Sequence, residues 1–186
     1  MDVARHARHI ALPEIGPEGQ ARISAARIAV LGNDLTAETA ATYLRAAGVQ
    51  QVLEKDPRLL VALNRTLSEF DLVIRSGFDD TPVDAVAARL GLPAIFVRAT
   101  STEVDLISFS GRVPTADAPA NVPFMAAAQP ASDEATAVLA GTIAAAEALH
   151  LIVREGAGAV APRIKHLRLP VDGREPLVQE IGARAP

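Results

Sequence analysis

The side chains through which this sequence could do chemistry are few: four histidines, scattered hydroxyls and carboxylates, and no cysteine. His6 and His9 stand three residues apart, so a helix would carry both imidazoles on one face, a spacing able to hold a metal ion. No third ligand is near them, and the pair is read as a solvated helix face. His150 at the end of a helical stretch and His166 in a strand are read as helix-terminus and surface histidines rather than catalysts. Ser108, Ser110, Ser132 and the Thr100-Ser101-Thr102 run have no G-x-S-x-G context, so a hydrolase triad finds no support. Asp79-Asp80 precedes Pro82 and reads as the cap of a helix starting there. Gly32 closes an apolar run, but one glycine is too little for a dinucleotide-binding oxidoreductase. No catalytic residue and no metal site are assigned.

The composition narrows the classes further. The chain has 186 residues, 49% of them hydrophobic and 22% charged, which suits one globular α/β-sized domain. Without cysteine there is no disulfide, thiolate zinc site or cysteine nucleophile. A net charge of -4 with no dense basic block gives no footprint for nucleic acid. The opening residues MDVARHARHI carry charge where a secretory signal would be apolar, and no apolar run approaches the ~18 residues of a membrane span. A cytoplasmic protein without membrane contact is therefore expected. Aromatic residues are only 3%, so the core must be built from Ala, Val, Leu and Ile.

The elements that must position any site follow from the patterning. Residues 2–9 and 17–26 are predicted as helices, broken at Pro13-Glu14-Ile15-Gly16-Pro17. Arg27-Ile28-Ala29-Val30-Leu31-Gly32 has the form of a buried parallel strand. Asn33 or Asp34 would cap the next helix, with Leu35, Ala40, Tyr43 and Leu44 at helical spacing and Gly48 ending it. A strand at 49–53 completes a parallel crossover unit. Leu59 to Leu63 fits strand or helix equally. Strands follow at 71–75 and 94–97 around a helix at 82–90 closed by Gly91.

Residues 103–109 alternate polar and apolar, which predicts a strand with one solvated face. Pro114, Pro119, Pro123 and Pro130 mark 111–130 as a long loop. Ser132 would cap a long helix with Val138, Leu139, Ile143, Ala146, Leu149 and Val153 as its buried stripe. Strands at 164–169 and 177–181 would close the sheet as a hairpin across Asp172-Gly173. The expected fold is a single α/β domain over 1–186 with a Rossmann-like, largely parallel sheet. It comprises a helical arm (1–26), a core (27–110), the loop, and a late helix with a C-terminal antiparallel strand pair (131–186).

Two blocks then resemble the ThiF/MoeB/HesA family of adenylating enzymes, relatives of the ubiquitin-activating enzymes. The segment from Arg5 through Arg8, Ile10, Leu12, Gly19 and Gln20 is similar to that family's R-x-x-R-x-I-x-L entry stretch, and the match continues through Arg27 to Val52. Gly141-Thr142-Ile143-Ala144-Ala145-Ala146-Glu147-Ala148 looks like its late G-s-x-x-A-x-E-A helix. The resemblance implies a nucleotide site at Gly32, an acidic ribose ligand near Asp56, and a dimer in which Arg8 reaches the neighbouring subunit's nucleotide.

The departures bear on function. The family's G-x-G-G-x-G loop, whose backbone N–H groups approach phosphate, is Gly32-Asn33-Asp34-Leu35-Thr36-Ala37 here, with one glycine left and a carboxylate added. The family's phosphate-holding segment after the second strand is missing, with Asn64 and Arg65 read as exposed positions. Its magnesium-holding aspartate falls at Phe78, beside Arg75 and Gly77, unless Asp79 or Asp80 supplies it through a shift. The family's zinc and thioester cysteines are absent.

The resemblance with these departures implies a non-adenylating, pseudoenzyme-like protein without a cofactor. It would act as a homodimer, or as the inactive half of a heterodimer with a ThiF-like subunit. The alternative is an active adenylyltransferase of a ubiquitin-like or sulfur-carrier protein, using ATP and magnesium.

Overall fold

The apolar, β-branched runs of the sequence become strands of one seven-stranded sheet in the order β2-β1-β3-β4-β5-β6-β7. The computed structural model describes residues 4–60, 62–77, 82–110, 133–155, 163–171 and 173–182. The elements are α1 (Ala7–Ile10), α2 (Gly16–Ala25), β1 (Arg27–Leu31), α3 (Leu35–Ala47), β2 (Gln51–Lys55), α4 (Leu63–Leu67) and β3 (Leu72–Ser76). They continue with α5 (Val83–Leu90), β4 (Ala94–Ala99), β5 (Glu103–Ser110), α6 (Glu134–Glu155), β6 (Arg163–Pro170) and β7 (Leu177–Gly182). The loop at 111–130, the Ser132 cap, Asp79-Asp80 and the Asp172 turn position lie outside the described residues.

The expected Rossmann-like sheet and antiparallel C-terminal pair are both present. Pairing is parallel from β2 through β1 and β3 to β4, and antiparallel from β4 through β5 and β6 to β7. The change of direction begins at β5 because only Thr100, Ser101 and Thr102 separate it from β4, and Thr100 N–H donates to Glu103 C=O at 2.9 Å. A parallel return would need a crossover of about a dozen residues.

Alternation along β1 divides the core into two layers. Ile28 and Val30 face α3 and α6, whereas Ala29 and Leu31 face the α4 and α5 side with Leu67, Val83 and Val86. Helices on both faces are what a parallel sheet requires.

Not every expectation holds. The first helix is the single turn Ala7–Ile10, and β2 starts two residues late because Gly48, at φ +102°, and the buried Val49 complete the turn out of α3. β5 is buried on both faces, its polar positions taken up by partners within the sheet and on α6.

The buried stripe of α6 is Ala137, Ala140, Gly141, Ala144, Ala145, Ala148 and Leu151. Val138 and Leu139 are 39% and 41% exposed, Ala146 is exposed, and Ile143, Leu149 and Val153 are only partly buried. The physical reason is distance. A Cβ on Gly141 would collide with the Thr36 carbonyl oxygen and come within 2.7 Å of Thr39 Cβ, so α6 crosses α3 too closely for large side chains. Finally, Glu134–Arg154 is long and apolar enough to cross a membrane by length and composition, contrary to the sequence reading. Its alanine face packs into the protein core.

Candidate functional site

In an open α/β sheet the ligand crevice lies at the carboxyl ends of the strands where the strand order reverses, here between β1 and β3. The chain fills that crevice itself. Asp34, the N-cap of α3, accepts the Ala37 N–H at 2.9 Å through Oδ1. The Ser76 hydroxyl at the end of β3 donates to the same carboxylate, 2.6 Å from Oδ1 and 2.7 Å from Oδ2. A helix N-terminus presents unpaired N–H groups and a positive dipole end, which favour an anion. The anion there is a side chain.

Gly32 is required beside it for packing. A Cβ at Gly32 would stand 2.8 Å from Ala37 Cβ and 3.1 Å from Ser76 Cβ, so the β1–α3 turn rests directly on the first turn of α3 and on β3. Of the residues around the sequence-predicted magnesium position, Arg75 is buried and donates to the Gly77 carbonyl at 3.2 Å. Phe78, Asp79 and Asp80 are outside the described residues.

On the other side of β1 an open cleft of about 590 Å³ is lined by Gly32, Asn33, Arg45, Lys55 and Asp56, with Val52, Leu53 and Glu54 as its β2 wall. The two sequence-predicted nucleotide positions, Gly32 and Asp56, therefore share one cleft. Asp56 is committed within it. Both its oxygens accept from the Arg58 guanidinium at 2.6–3.2 Å, and Oδ1 also accepts the Arg58 N–H. The Arg58 side chain holds the carboxyl below the usual aspartate range. Arg45 is likewise paired with Glu54 at 3.0 Å.

Arg8 is exposed on α1, remote in sequence and element from that cleft, and among the described residues it makes no ion pair with Glu14 or Glu18. Its arm is fastened by the two histidines, which corrects their reading as a solvated face. His6 is 7% exposed and lies in the space left by the missing Gly48 side chain. Its ring stacks on His9 at a centroid distance of 6.1 Å. His9 Nδ1 is bonded to Gln20 Oε1 at 2.9 Å, and Gln20 Nε2 donates to the Ala47 carbonyl at 3.0 Å. Asn64 and Arg65 are exposed on α4, as read, with Asn64 accepting from Arg89.

Sequence reasoning missed a buried polar cluster at β4, β5 and β6. Asp105, fully buried, accepts from Arg98 at 2.9 Å and is bonded to His166 Nε2 at 2.6 Å, with Arg168 3.8 Å away. His166 is thus a buried histidine rather than a surface one. The signal was a carboxylate flanked directly by Val104 and Leu106. Glu147, within the 141–148 stretch of α6, is a second such residue. It accepts from Ser108 and Lys165, each at 2.7 Å, and ties α6 to β5 and β6. His150 is exposed on α6, 3.2 Å from Arg154.

Comparison with known proteins bears on these residues. No family model matches the sequence. Over 113 residues, 59% of this chain, it is 30% identical to the SAMP-activating enzyme E1 of Haloferax volcanii. The match spans 37% of that protein's length. Escherichia coli MccB, in a crystal structure with AMPCPP and MccA, superposes with a TM-score of 0.68 at 12% identity over 98% of this chain and 72% of MccB. PaaA superposes at 0.65 with 13% identity, covering 97% of this chain and 74% of its own. The solved structures establish the fold, and the sequence match relates part of the chain to part of an activating enzyme.

Proposed function

We propose that this protein is a non-adenylating relative of the ThiF/MoeB-like enzymes that acts through association with another subunit. The observation carrying this is the Asp34 carboxylate at the N-terminus of α3, held by Ser76 and Ala37. A phosphate seated on that helix end would meet this charge at about 4 Å, a repulsion of about 4 kcal/mol at an effective dielectric of about 20. That is roughly half of a micromolar binding free energy of about 8 kcal/mol. Removing Asp34 from the way would also uncap α3 and leave Ser76, which is 1% exposed, without its acceptor. Among the described residues, those at this helix end do not fit a triphosphate, and Asp56 already answers to Arg58.

Calorimetric titration of the purified chain with ATP and magnesium tests this, with no binding expected up to millimolar nucleotide. Micromolar affinity, or carboxylate-dependent exchange of pyrophosphate into ATP, overturns it. That result would favour the second reading, an adenylyltransferase acting on a ubiquitin-like or sulfur-carrier protein, with nucleotide held in the cleft between β1 and β2. The open cleft that joins Gly32 to Asp56 is the feature on that side.

Within the association reading, Arg8 is the residue offered to a ThiF-like partner. Its exposure on an arm anchored by His6, His9 and Gln20 leaves a guanidinium free to fork across a neighbour's phosphate oxygens. In a heterodimer, Arg8→Ala should lower the partner's adenylation rate about 30- to 1,000-fold while the complex stays intact. Arg5→Ala is the control, and equal effects from both substitutions would remove the specific role. A cytoplasmic setting is part of the same proposal.

A further inference from the structure

We infer that the free edge of β2 takes up one extended strand of a partner polypeptide, paired antiparallel, with an apolar side chain opposite Leu53 and an acidic one opposite Lys55. The inference rests on the association reading and deepens it by naming a surface and the chemistry of what binds there. β2 is the outermost strand of the parallel half of the sheet and pairs with β1 alone. The Lys55 carbonyl accepts the Gly32 N–H at 3.0 Å, so the backbone groups of Gln51, Leu53 and Lys55 turn toward β1. By the two-residue period of a strand, Val52 and Glu54 turn theirs outward. Among the described residues no hydrogen bond reaches the outward N–H or C=O of either. An antiparallel segment would exchange two hydrogen bonds with each of them.

The side chains along this edge stop short of full burial. All of β3 and β4 is buried, whereas Val52 and Leu53 are half-buried, one packed on the α3 and α6 layer and the other on the α4 and α5 layer. Leu59, in the turn that follows β2, is 71% exposed. Five consecutive residues, Val52 to Asp56, line the cleft of about 590 Å³. Consecutive strand residues point to opposite faces, so a cleft that touches all of them follows the edge. Charge then selects the occupant. Arg45 is paired with Glu54 and Asp56 with Arg58, which leaves Lys55 as the lining cation without an ion pair among the described residues. A lysine blunts an edge against apolar or basic strands and favours an acidic residue directly opposite. A second copy of β2, paired about Leu53, would set Gln51 opposite Lys55 and Val52 opposite Glu54, and so supplies no carboxylate.

The synthetic peptide acetyl-Ser-Glu-Thr-Ile-Val-Thr-Ser-amide places Glu, Ile and Val opposite Lys55, Leu53 and Val52 in that pairing. Titrated into the isotope-labelled full chain and followed by NMR, it should bind with a Kd below about 1 mM. Hydrogen exchange of the Val52 and Glu54 amides should slow in the complex, while that of Leu53, already turned to β1, should not change. N-methylation of the peptide's central Thr and Val, which face Glu54 and Val52, keeps every side chain and removes two donors, so binding should weaken ~10-fold or more. Lys55→Glu should weaken binding of the parent peptide about 5-fold, and the peptide with Lys in place of Glu should recover it on that variant. Circular dichroism of the variant confirms the fold. No binding at about 1 mM peptide overturns the inference, as does binding indifferent to both N-methylation and charge reversal. Protection of the Val52 and Glu54 amides that rises with protein concentration alone would put a second copy on the edge and overturn the partner strand. Each of these results leaves the ATP titration, and so the non-adenylating reading, standing on its own. ATP binding by a chain that also takes the peptide would overturn that reading and keep the edge.

Discussion

Asp34 holds together three things that lie far apart in the sequence: the first turn of α3, the end of β3 and the state of the crevice between them. Its role as an N-cap was legible because an aspartate stands just before a helical run and three residues ahead of the N–H it accepts. Its bond to Ser76 was not legible, because the two are 42 residues apart and nothing in the local pattern marks Ser76 as a partner. Asp34→Ala should lower the unfolding free energy by about 2 kcal/mol, combining the lost cap with a buried hydroxyl left unpaired. Asp34→Asn should cost well under that, since the amide oxygen still caps the helix. Denaturant titration of the two variants checks the order, and an equal loss in both would assign the effect to charge rather than to hydrogen bonding. The same logic explains the histidines. The i, i+3 spacing of His6 and His9 correctly placed them together, but the glycine that makes room for His6 terminates a helix some forty residues downstream.

At the scale of elements, strands were read well where short apolar runs contain β-branched residues, as in β1, β3 and β4. The long helix was found, but the sequence could not orient it. A hydrophobicity pattern ranks leucine above alanine, whereas the close crossing of α3 and α6 admits alanine and glycine only. The stretch at 59–63 was ambiguous because its two ends belong to different elements: Leu59 closes the 3-10 turn Pro57–Leu59 and Leu63 opens α4.

The amino-terminal ends of β1 and β3 are tied by Asp71, which accepts the Arg27 N–H and guanidinium, each at 2.8 Å. The Arg27 side chain holds the Asp71 carboxyl below its ordinary range despite partial burial. A depressed folded-state pKa stabilises the protein above the unfolded value of about 3.9, and that contribution disappears as pH falls through the folded value. Both side chains are 45% exposed, so the stabilisation after solvent screening is expected to be below about 1 kcal/mol. Asp71→Asn should therefore be slightly less stable than the parent from about pH 5 to 8, more visibly at low salt, with the gap closing toward the acid limit as pH falls through the folded value. A gap that persisted at that acid limit would point to packing at the strand ends instead of charge.

For the whole molecule, the Rossmann-like sheet followed from the alternation of strand and helix signals along the first hundred residues, whereas the order of its strands came only from the structure. The C-terminal antiparallel pair was expected as well, but not the polar cluster that joins it to β4 and β5. Asp105, Arg98, His166 and Arg168 look individually like surface residues, and only the register of three strands makes them one cluster. Burial of such a cluster is a weak source of net stability, but taking away one member leaves its partners charged and dehydrated.

That single carboxylate spans the junction between the parallel strands and the antiparallel ones, which gives the sheet a mechanical character. Under native conditions the slowest-exchanging amides of β5 and β6 should open together with those of β4, as one cooperative unit. Asp105→Asn should cost about 3 kcal/mol or more and, if the protein still folds, divide the sheet into a slow parallel block and a faster-opening flap. Native-state hydrogen exchange resolved by strand would show the two rates separate. Coincident rates in the variant would mean that the apolar layers alone weld the halves, and that the polar junction sets register without carrying load.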